Sequence, residues 1–169
     1  MLGAVCFVGE CLVVHDPQGR IAGIDFGTVR IGIAISDVSR TIASPHDNYS
    51  RGGEPADRAY FKRLVDREQI ALFVVGLPVH LDGRESRKSE EARRFGAWLA
   101  EATGVVVQFF DERFTTHEAE AVLAQAQLTK KQRKARLDKL AAQIMLTAYL
   151  ESSRDGRKAH DPPRGLDDR

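Results

Sequence analysis

The spacing of apolar residues changes along the chain from short extended runs to helical repeats. Extended segments come first, at residues 21–24 and 30–36, with a third piece at residues 41–44 that Pro45 interrupts. The first two lie close enough in sequence to form a β-hairpin. A polar, glycine-containing loop is predicted over residues 47–55. The chain therefore opens with a predicted meander of three strands.

Helices and strands alternate after this meander. Short, wholly apolar runs have the composition of strands buried on both faces, and apolar residues at intervals of three and four predict helices. A basic loop is predicted before the last helix. The element order is β-β-β-α-β-α-β-α-α, which indicates an α/β fold: a mixed sheet with helices on its faces. The predicted strands are residues 71–75 and 105–110, and the predicted helices are residues 56–69, 86–103, 115–126 and about 136–151.

Length and composition fit one domain. The chain has 169 residues, of which 43% are hydrophobic, enough for one core. We predict an N-terminal extension over residues 1–20, a domain over residues 21–151 and a disordered polar tail over residues 152–169. No apolar run approaches the roughly 20 residues of a membrane helix, and no secretory signal is recognisable. Two closely spaced cysteines, Cys6 and Cys11, suit a reducing compartment, so we expect a cytoplasmic protein.

Charge alone does not identify a partner. Lysine and arginine total 25 against 24 aspartate and glutamate residues, for a net charge of +1. Nucleic-acid binding therefore depends on local clusters of basic residues. The densest cluster precedes the last helix and is a candidate phosphate-backbone contact; a solvated helix face is the alternative. Its residues include Lys130, Lys131, Arg133 and Lys134.

Four acidic residues lie where the predicted elements end or begin. Asp25 ends the first strand, Asp111 and Glu112 end the last strand, and Asp138 falls in the first turn of the last helix. Parallel strands open at the same edge of a sheet, so acids far apart in sequence can meet there. Mg²⁺ prefers such oxygen ligands, and two ions about 4 Å apart stabilise both oxygens of a phosphodiester displacement. The pattern indicates a metal-dependent nuclease.

Each acid also has a purely structural interpretation. Asp25 is a possible turn residue that binds backbone N–H groups, Glu112 a solvated partner of Arg113, and Asp138 a first-turn residue favoured by the helix dipole. A second functional interpretation concerns the segment from Asp25 to Thr28, whose small residues and hydroxyl suit a phosphate. Similar loops occur in actin, sugar kinases and chaperone ATPases, but those proteins close two such halves around ATP.

Four stretches, in order, resemble one family. They are Gly23–Thr28 with Arg30–Gly32, Val75–Pro78 with Asp82–Gly83, Asp111–Arg113 with Thr115–Thr116 and Glu118–Ala119, and Asp138–Ala142 continuing to Tyr149–Glu151. With these motifs the chain is similar, over about residues 21–151, to the YqgF family of Holliday-junction-resolvase-like proteins, also described as pre-16S rRNA nucleases.

The resemblance implies a fold, an activity and a site. The fold is ribonuclease H-like, with a five-stranded mixed sheet whose first three strands are antiparallel and with helices on both faces. The implied activity is 5′-end processing of precursor rRNA at the pre-ribosomal small subunit, with Mg²⁺ or Mn²⁺, by a cytoplasmic monomer or homodimer. The implied metal-binding, catalytic acids are Asp25, Glu112 and Asp138, with Asp111 as the rival of Glu112. The expected substrate-binding residues are Thr28, Arg30, Arg113, Lys130, Lys131, Arg133 and Lys134.

Two departures from the family pattern leave other functions open. The family commonly has Lys where this chain has Val29, and Asn where it has His80. A non-catalytic RNA-binding ribosome-assembly factor is therefore a second hypothesis. A Holliday junction resolvase, which applies the same chemistry to structured DNA, is a third.

Residues 1–18 are additional to the usual family length. We expect their deletion to leave the unfolding temperature unchanged, because the domain is predicted to begin at residue 21. Thermal unfolding of the shortened and full chains checks this, and a fall of many degrees would show that these residues belong to the folded domain.

Overall fold

The structure is a computed structural model that describes residues 19–78, 87–111 and 130–154, without the side chains of residues 130–139. No helix in these ranges is both long and apolar enough to cross a membrane. Five strands and three helices are described. They are β1 (Arg20–Phe26), β2 (Arg30–Ser36), β3 (Ala43–Ser50), α1 (Glu54–Glu68), β4 (Ile70–Leu77), α2 (Arg87–Thr103), β5 (Val106–Asp111) and α3 (Lys130–Arg154).

The strands form one mixed sheet in the order β3-β2-β1-β4-β5. β1 pairs with β2, and β2 with β3, in antiparallel fashion. β1 pairs with β4, and β4 with β5, in parallel. The predicted α/β class, the five-stranded mixed sheet and the antiparallel first three strands are therefore confirmed.

The core has two layers, one on each face of the sheet. Successive side chains of a strand point to opposite faces, so Ile24 of β1 packs in one layer and Ile21 in the other. The first layer contains Phe61 and Leu64 of α1 and Phe95 and Leu99 of α2. The second contains residues of α3. We call these the α1/α2 face and the α3 face. The residues of α3 in the second layer are Ala142, Met145, Leu146, Tyr149 and Leu150.

Helix α3 lies very close to the centre of β1. A Cβ atom at Gly23 would lie 2.8 Å from the Leu146 Cβ and 3.2 Å from the carbonyl oxygen of Ala142. Neither atom belongs to the flexible end of a side chain. Glycine at this position therefore sets the distance between helix and sheet, and with it the position of α3 over β1, the strand that carries Asp25 near its end.

Strand β3 corrects one prediction. The sequence suggested an extended piece that Pro45 interrupts, followed by a loop over residues 47–55. The strand instead continues through Pro45 to Ser50, and its pairing shifts register between Ile33 and Ala34 of β2. Proline is tolerated because β3 is an edge strand, where a missing N–H interrupts no further ladder.

Helix α3 corrects a second prediction. We expected a basic loop and a helix from about residue 136, whereas the helix begins at Lys130. Its first turns are rich in lysine and arginine, which are good helix formers. Asp138 consequently lies in the third turn, not the first. The dipole acts mainly within the first turn of a helix, so it does not account for an acid at this position.

Several predicted segments lie outside the described residues. These are most of the N-terminal extension, the helix predicted at residues 115–126, and the tail beyond Arg154. The helices at 56–69 and 86–103 are confirmed within two residues as α1 and α2.

Candidate active site

The parallel strands end together at one edge of the sheet. β1 ends just beyond Asp25, β4 at Leu77 and β5 at Asp111. Leu77 pairs with Asp111, so the two strand ends are level. The prediction that the acids at residues 25 and 111 come to one edge is therefore correct at the level of the backbone. The faces of the sheet on which they lie differ.

Asp25 lies on the α3 face. Gly23, two residues earlier, abuts α3, whereas the neighbours Ile24 and Phe26 pack with the α1/α2 layer. The alternation of side chains therefore directs the half-buried Asp25 carboxylate to the side of α3.

Glycines flank Asp25 on both neighbouring strands. On β2 its direct partner is Gly32. On β4 the pairing of Ile24 with Val75, continued by one residue, sets Gly76 beside it. Residues side by side on adjacent strands point to the same face, and neither glycine has a side chain to fill the space. No side chain from these two positions lies beside the carboxylate, whose oxygens are the donors that Mg²⁺ and Mn²⁺ prefer. The position fits a metal ligand.

Arg30 shares this face with Asp25. It lies two residues before Gly32 on β2, so it is a diagonal cross-strand neighbour of Asp25 at roughly 7–8 Å between Cα atoms. The structure therefore brings together two residues that the sequence assigned to the site, one anionic and one cationic. Thr28 is exposed in the connection between β1 and β2.

Asn48 is a site-face residue that the sequence analysis missed. It pairs with Gly32, while its neighbours Asp47 and Tyr49 bind Tyr60 and Asp57 on the α1/α2 face. Asn48 therefore belongs to the α3 face, in the same cross-strand row as Asp25. The signal for this strand in the sequence is weak, because residues 47–50 contain one aromatic residue, Tyr49, among polar ones and follow Pro45.

Asp111 lies on the opposite face from Asp25. It pairs with Leu77, a residue of the α1/α2 layer. The preceding residue, Phe110, packs edge-on against Tyr149 of α3, with ring centroids 5.8 Å apart. Asp111 is also buried, with 4% of its surface exposed. The sheet thus separates the positions of the Asp25 and Asp111 side chains.

Helix α3 runs antiparallel to β1. Its last residue, Arg154, donates to the carbonyl oxygen of Thr41 (2.9 Å), in the connection beside the amino end of β1. Ala142 lies beside Gly23 at mid-strand. Moving back along the helix therefore leads towards the carboxyl end of β1, and Asp138 lies one turn before Ala142. The helix thus carries residue 138 towards the Asp25 end of the strand.

The other predicted site residues lie wholly or in part outside the described residues. Glu112 and Arg113 lie outside the described residues, as do the side chains of Asp138 and of the basic cluster at the start of α3: Lys130, Lys131, Arg133 and Lys134. Among the described side chains, no three His, Cys, Asp or Glu residues come together as a metal site.

A family model described as "RuvX: Holliday junction resolvase" matches residues 19–152. The chain belongs to the RuvX family. This confirms the resemblance found in the sequence, and the matched region contains every described strand and nearly the whole of α3.

Two relatives of this RuvX-family chain carry the same name. A protein of Rhodopirellula baltica named "Putative pre-16S rRNA nuclease" is 48% identical over 136 residues, which cover 80% of this chain and 79% of the relative. A protein of Koribacter versatilis with the same name is 39% identical and covers 79% and 88%. Among solved structures, RuvC of T. thermophilus in complex with a Holliday junction substrate has a TM-score of 0.51 at 16% identity, covering 82% of this chain and 96% of RuvC. That likeness shows the ribonuclease H-like fold.

In this RuvX-family structure a buried acid, Asp57, is linked through hydrogen bonds to the β1–β2 connection, which follows Asp25. Asp57, in the first turn of α1, is fully buried. It accepts hydrogen bonds from the Tyr49 hydroxyl (2.8 Å), Arg51 Nε (2.9 Å) and the backbone N–H of Gly52 (3.0 Å). The backbone N–H of Arg51 in turn donates to the carbonyl oxygen of Val29 (3.0 Å). The chain of contacts thus runs from α1 to the β1–β2 connection.

The hydrogen bonds of Asp57 shift the pKa values of both Asp57 and Tyr49. Burial alone would raise the pKa of Asp57, but the hydrogen bonds from Tyr49, Arg51 and Gly52 outweigh it and lower the pKa below its ordinary value. Burial and the contact with Asp57 raise the pKa of Tyr49. Asp57 is therefore ionised and Tyr49 neutral at pH 7. Nothing in the sequence distinguishes Asp57 from other first-turn acids, which the helix dipole favours whether or not they are buried.

Proposed function

We propose that this protein is a metal-dependent nuclease that hydrolyses phosphodiester bonds of precursor rRNA, in processing of the 5′ end of pre-16S rRNA. The observation that carries the proposal is Asp25, held between Gly32 and Gly76 at the carboxyl edge of the sheet with Arg30 on the same face. The family, the ribonuclease H-like fold and the names of the relatives support it. This substrate implies a bacterial cytoplasmic protein that meets the pre-ribosomal small subunit.

The proposed ligands of Mg²⁺ or Mn²⁺ are Asp25, Glu112 and Asp138. When bound, the metal supplies positive charge that activates water and stabilises the developing charge on phosphorus oxygens. Asp25 fixes the position of the site because β1 is a central strand, paired on both sides. Arg30 binds a phosphate oxygen of the substrate through a charge-assisted hydrogen bond. The basic residues at the start of α3 bind the backbone beyond it.

Glu112 is preferred over Asp111 as the second acid for a reason of register. Asp111 belongs to the α1/α2 face, across the sheet from Asp25. Side chains along a strand alternate between the two faces of the sheet. A strand continued by one residue beyond Asp111 would therefore place that residue on the face of Asp25. Strand register thus favours one of two adjacent acids that composition and spacing do not distinguish.

Paired substitutions test this choice. We expect Glu112→Gln to reduce metal-dependent cleavage by at least about 100-fold, more than the 10–100-fold that loss of an outer-sphere partner costs a metal site. Asp111→Asn has the same change of charge one residue away, and we expect cleavage within about tenfold of the wild type. Cleavage rates measured over a range of Mn²⁺ concentrations check both. A larger loss for Asp111→Asn would assign the metal to the other acid.

Matched substrates test the function as a whole. We expect Mg²⁺ or Mn²⁺ to support cleavage of an RNA that contains the 5′ precursor segment of 16S rRNA, and EDTA to stop it. A four-way DNA junction of equal length is the control substrate. Preferential cleavage of the junction would replace the rRNA assignment with a resolvase activity. Binding of the RNA without cleavage under any metal condition would show a non-catalytic assembly factor.

A further inference from the structure

A cavity of about 340 Å³ lies on the other side of the β1–β2 connection from the Asp25 carboxylate. It is bounded by this connection, the start of α1 and one side of α2. Its volume is at the lower end of the range for small-ligand sites. Phe26 and Thr28 of the connection line it, together with Phe95 and Trp98 of α2. The proposed catalytic role of Asp25 makes no use of this cavity.

Three aromatic rings form one wall of the cavity. Phe26 and Phe95 stack with centroids 4.7 Å apart, and Phe95 and Trp98 lie 5.6 Å apart at a tilt of 34°. Phe95 is buried, whereas Phe26 and Trp98 are only partly buried. The guanidinium group of Arg51 lies over Phe26 and Phe95, 5.7 and 5.8 Å from their centroids, and that of Arg58 lies 6.0 Å from the centroid of Trp98. The wall therefore combines aromatic rings with guanidinium groups, and nucleobases stack on both.

The charges around the rings favour a neutral ligand. Arg51 and Arg94 are balanced by Glu54 and Glu91 among the lining residues. Arg51 is further neutralised by Asp57, at 2.9 Å. A phosphate site would need an excess of positive charge, which this lining lacks. A flat, neutral ring system with hydrogen-bond donors and acceptors on its edge suits both the aromatic wall and the mixed polar rim.

The position of the cavity relates it to the candidate active site. Phe26 follows Asp25 directly, so their Cα atoms are about 3.8 Å apart, while their side chains point to opposite faces of the sheet. A strand that presents a phosphate to Asp25 passes over this edge. The base of an adjacent nucleotide, once unstacked from its neighbours, can then enter the cavity on the opposite face of the sheet.

We infer that this cavity binds an unstacked nucleobase of the substrate strand, next to the nucleotide whose phosphate lies at Asp25. The inference rests on the proposed nuclease function and assigns the cavity a positioning role in it. Binding the base holds the strand in register with the acids, and it favours substrates with an unpaired nucleotide beside the cleaved bond.

Trp98 gives a direct measurement, because it is the only tryptophan in the chain. Precursor RNA is titrated into the Asp25→Asn protein, which binds without cleaving, and Trp98 fluorescence is followed. The same RNA is then prepared with one abasic nucleotide, moved position by position past the cleavage site. We expect one position, adjacent to the cleaved bond, to remove the fluorescence change and weaken binding about fivefold or more, the effect of losing one stacked base. Equal fluorescence changes and affinities at every position would overturn the inference.

Variants separate the cavity from the rest of the surface. Phe26→Leu removes a ring but keeps apolar volume, and we expect intact RNA to bind it as weakly as the abasic RNA binds the parent protein. Arg94→Gln changes the exposed rim without touching the core, and we expect a smaller loss that disappears with the abasic RNA. Arg67→Gln, on α1 beside a different pocket, is the matched control and should bind as the parent does. A loss for Arg67→Gln equal to that for Arg94→Gln would indicate general charge attraction and overturn the assignment.

Failure of this inference is distinguishable from failure of the proposed function. Metal-dependent cleavage of RNA together with abasic-insensitive binding would reject the base site alone. Absence of cleavage by the wild-type protein would reject the nuclease, whatever the abasic series shows.

Discussion

Asp25→Asn is expected to reduce metal-dependent cleavage by about 10³-fold or more while the protein remains folded. The substitution keeps the size of the side chain and removes the negative charge that holds the cation. Removing a single group that stabilises transition-state charge typically lowers the rate 10²–10³-fold. Removing a central metal ligand lowers it further, because the ion is then bound less tightly or not at all. Single-turnover cleavage of precursor RNA at saturating Mn²⁺ measures the effect.

Two controls make this result interpretable. Asp66→Asn changes the same charge at an exposed position of α1 and should cleave as the wild type does. Calorimetric titration of Mn²⁺ should show a binding event in the wild type that is weakened or lost in Asp25→Asn. Cleavage by Asp25→Asn at a wild-type rate, with its unfolding temperature unchanged, would remove Asp25 from the mechanism and with it the basis of the proposed function.

Local pattern was sufficient for the central part of the fold. β2 was predicted with its observed bounds, because alternation of isoleucine with small residues is unambiguous. The edge strand β3 was not predicted beyond Ser44, since its stability comes from pairing with β2 and not from its own composition. The start of α3 was missed for a related reason: a run of lysine and arginine is polar all round, and only helix propensity indicates its structure.

The site was predictable in residue type but not in face. Asp25 was found because a buried strand ends there, and its position between two glycines follows only from the pairing of three strands. Asp111 and Glu112 are adjacent, so a shift of one residue in register exchanges their faces. Asn48 and Asp57 depend on contacts between segments that sequence periodicity does not reveal.

Asp57→Ala is expected to lower the free energy of unfolding by about 3 kcal/mol, the lower end of the cost of breaking a buried ion pair. The Tyr49 hydroxyl and the Gly52 N–H lose their acceptor, and Arg51 loses its partner. The side chain of Arg51 is 31% exposed, so water compensates part of its loss. Urea unfolding measures the change, which corresponds to about 6–12 °C in unfolding temperature for a chain of this size.

Glu54→Ala is the matched control, since Glu54 is a first-turn acid of the same helix but is exposed and, among the described residues, forms its ion pair with Arg58 at the surface. We expect it to cost less than about 0.5 kcal/mol. A similar cost for both substitutions would mean that the helix dipole, and not the buried network, accounts for the stabilisation by acidic residues at the start of α1.

The destabilisation by Asp57→Ala should depend on pH in a defined direction. Because the pKa of Asp57 is lowered in the folded state from its ordinary value of 3.8, the carboxylate contributes its full stability above about pH 4. That contribution is lost as the pH falls through the folded-state pKa. The difference in unfolding free energy between wild type and Asp57→Ala should therefore be constant from pH 5 to pH 7 and shrink below pH 4.

Asp37, whose pKa is lowered to about 2 by backbone N–H groups of Ile42 and Thr41, is present in both proteins and cancels from the difference. A difference that stays constant down to pH 2 would show that Asp57 acts through packing and not through its charge.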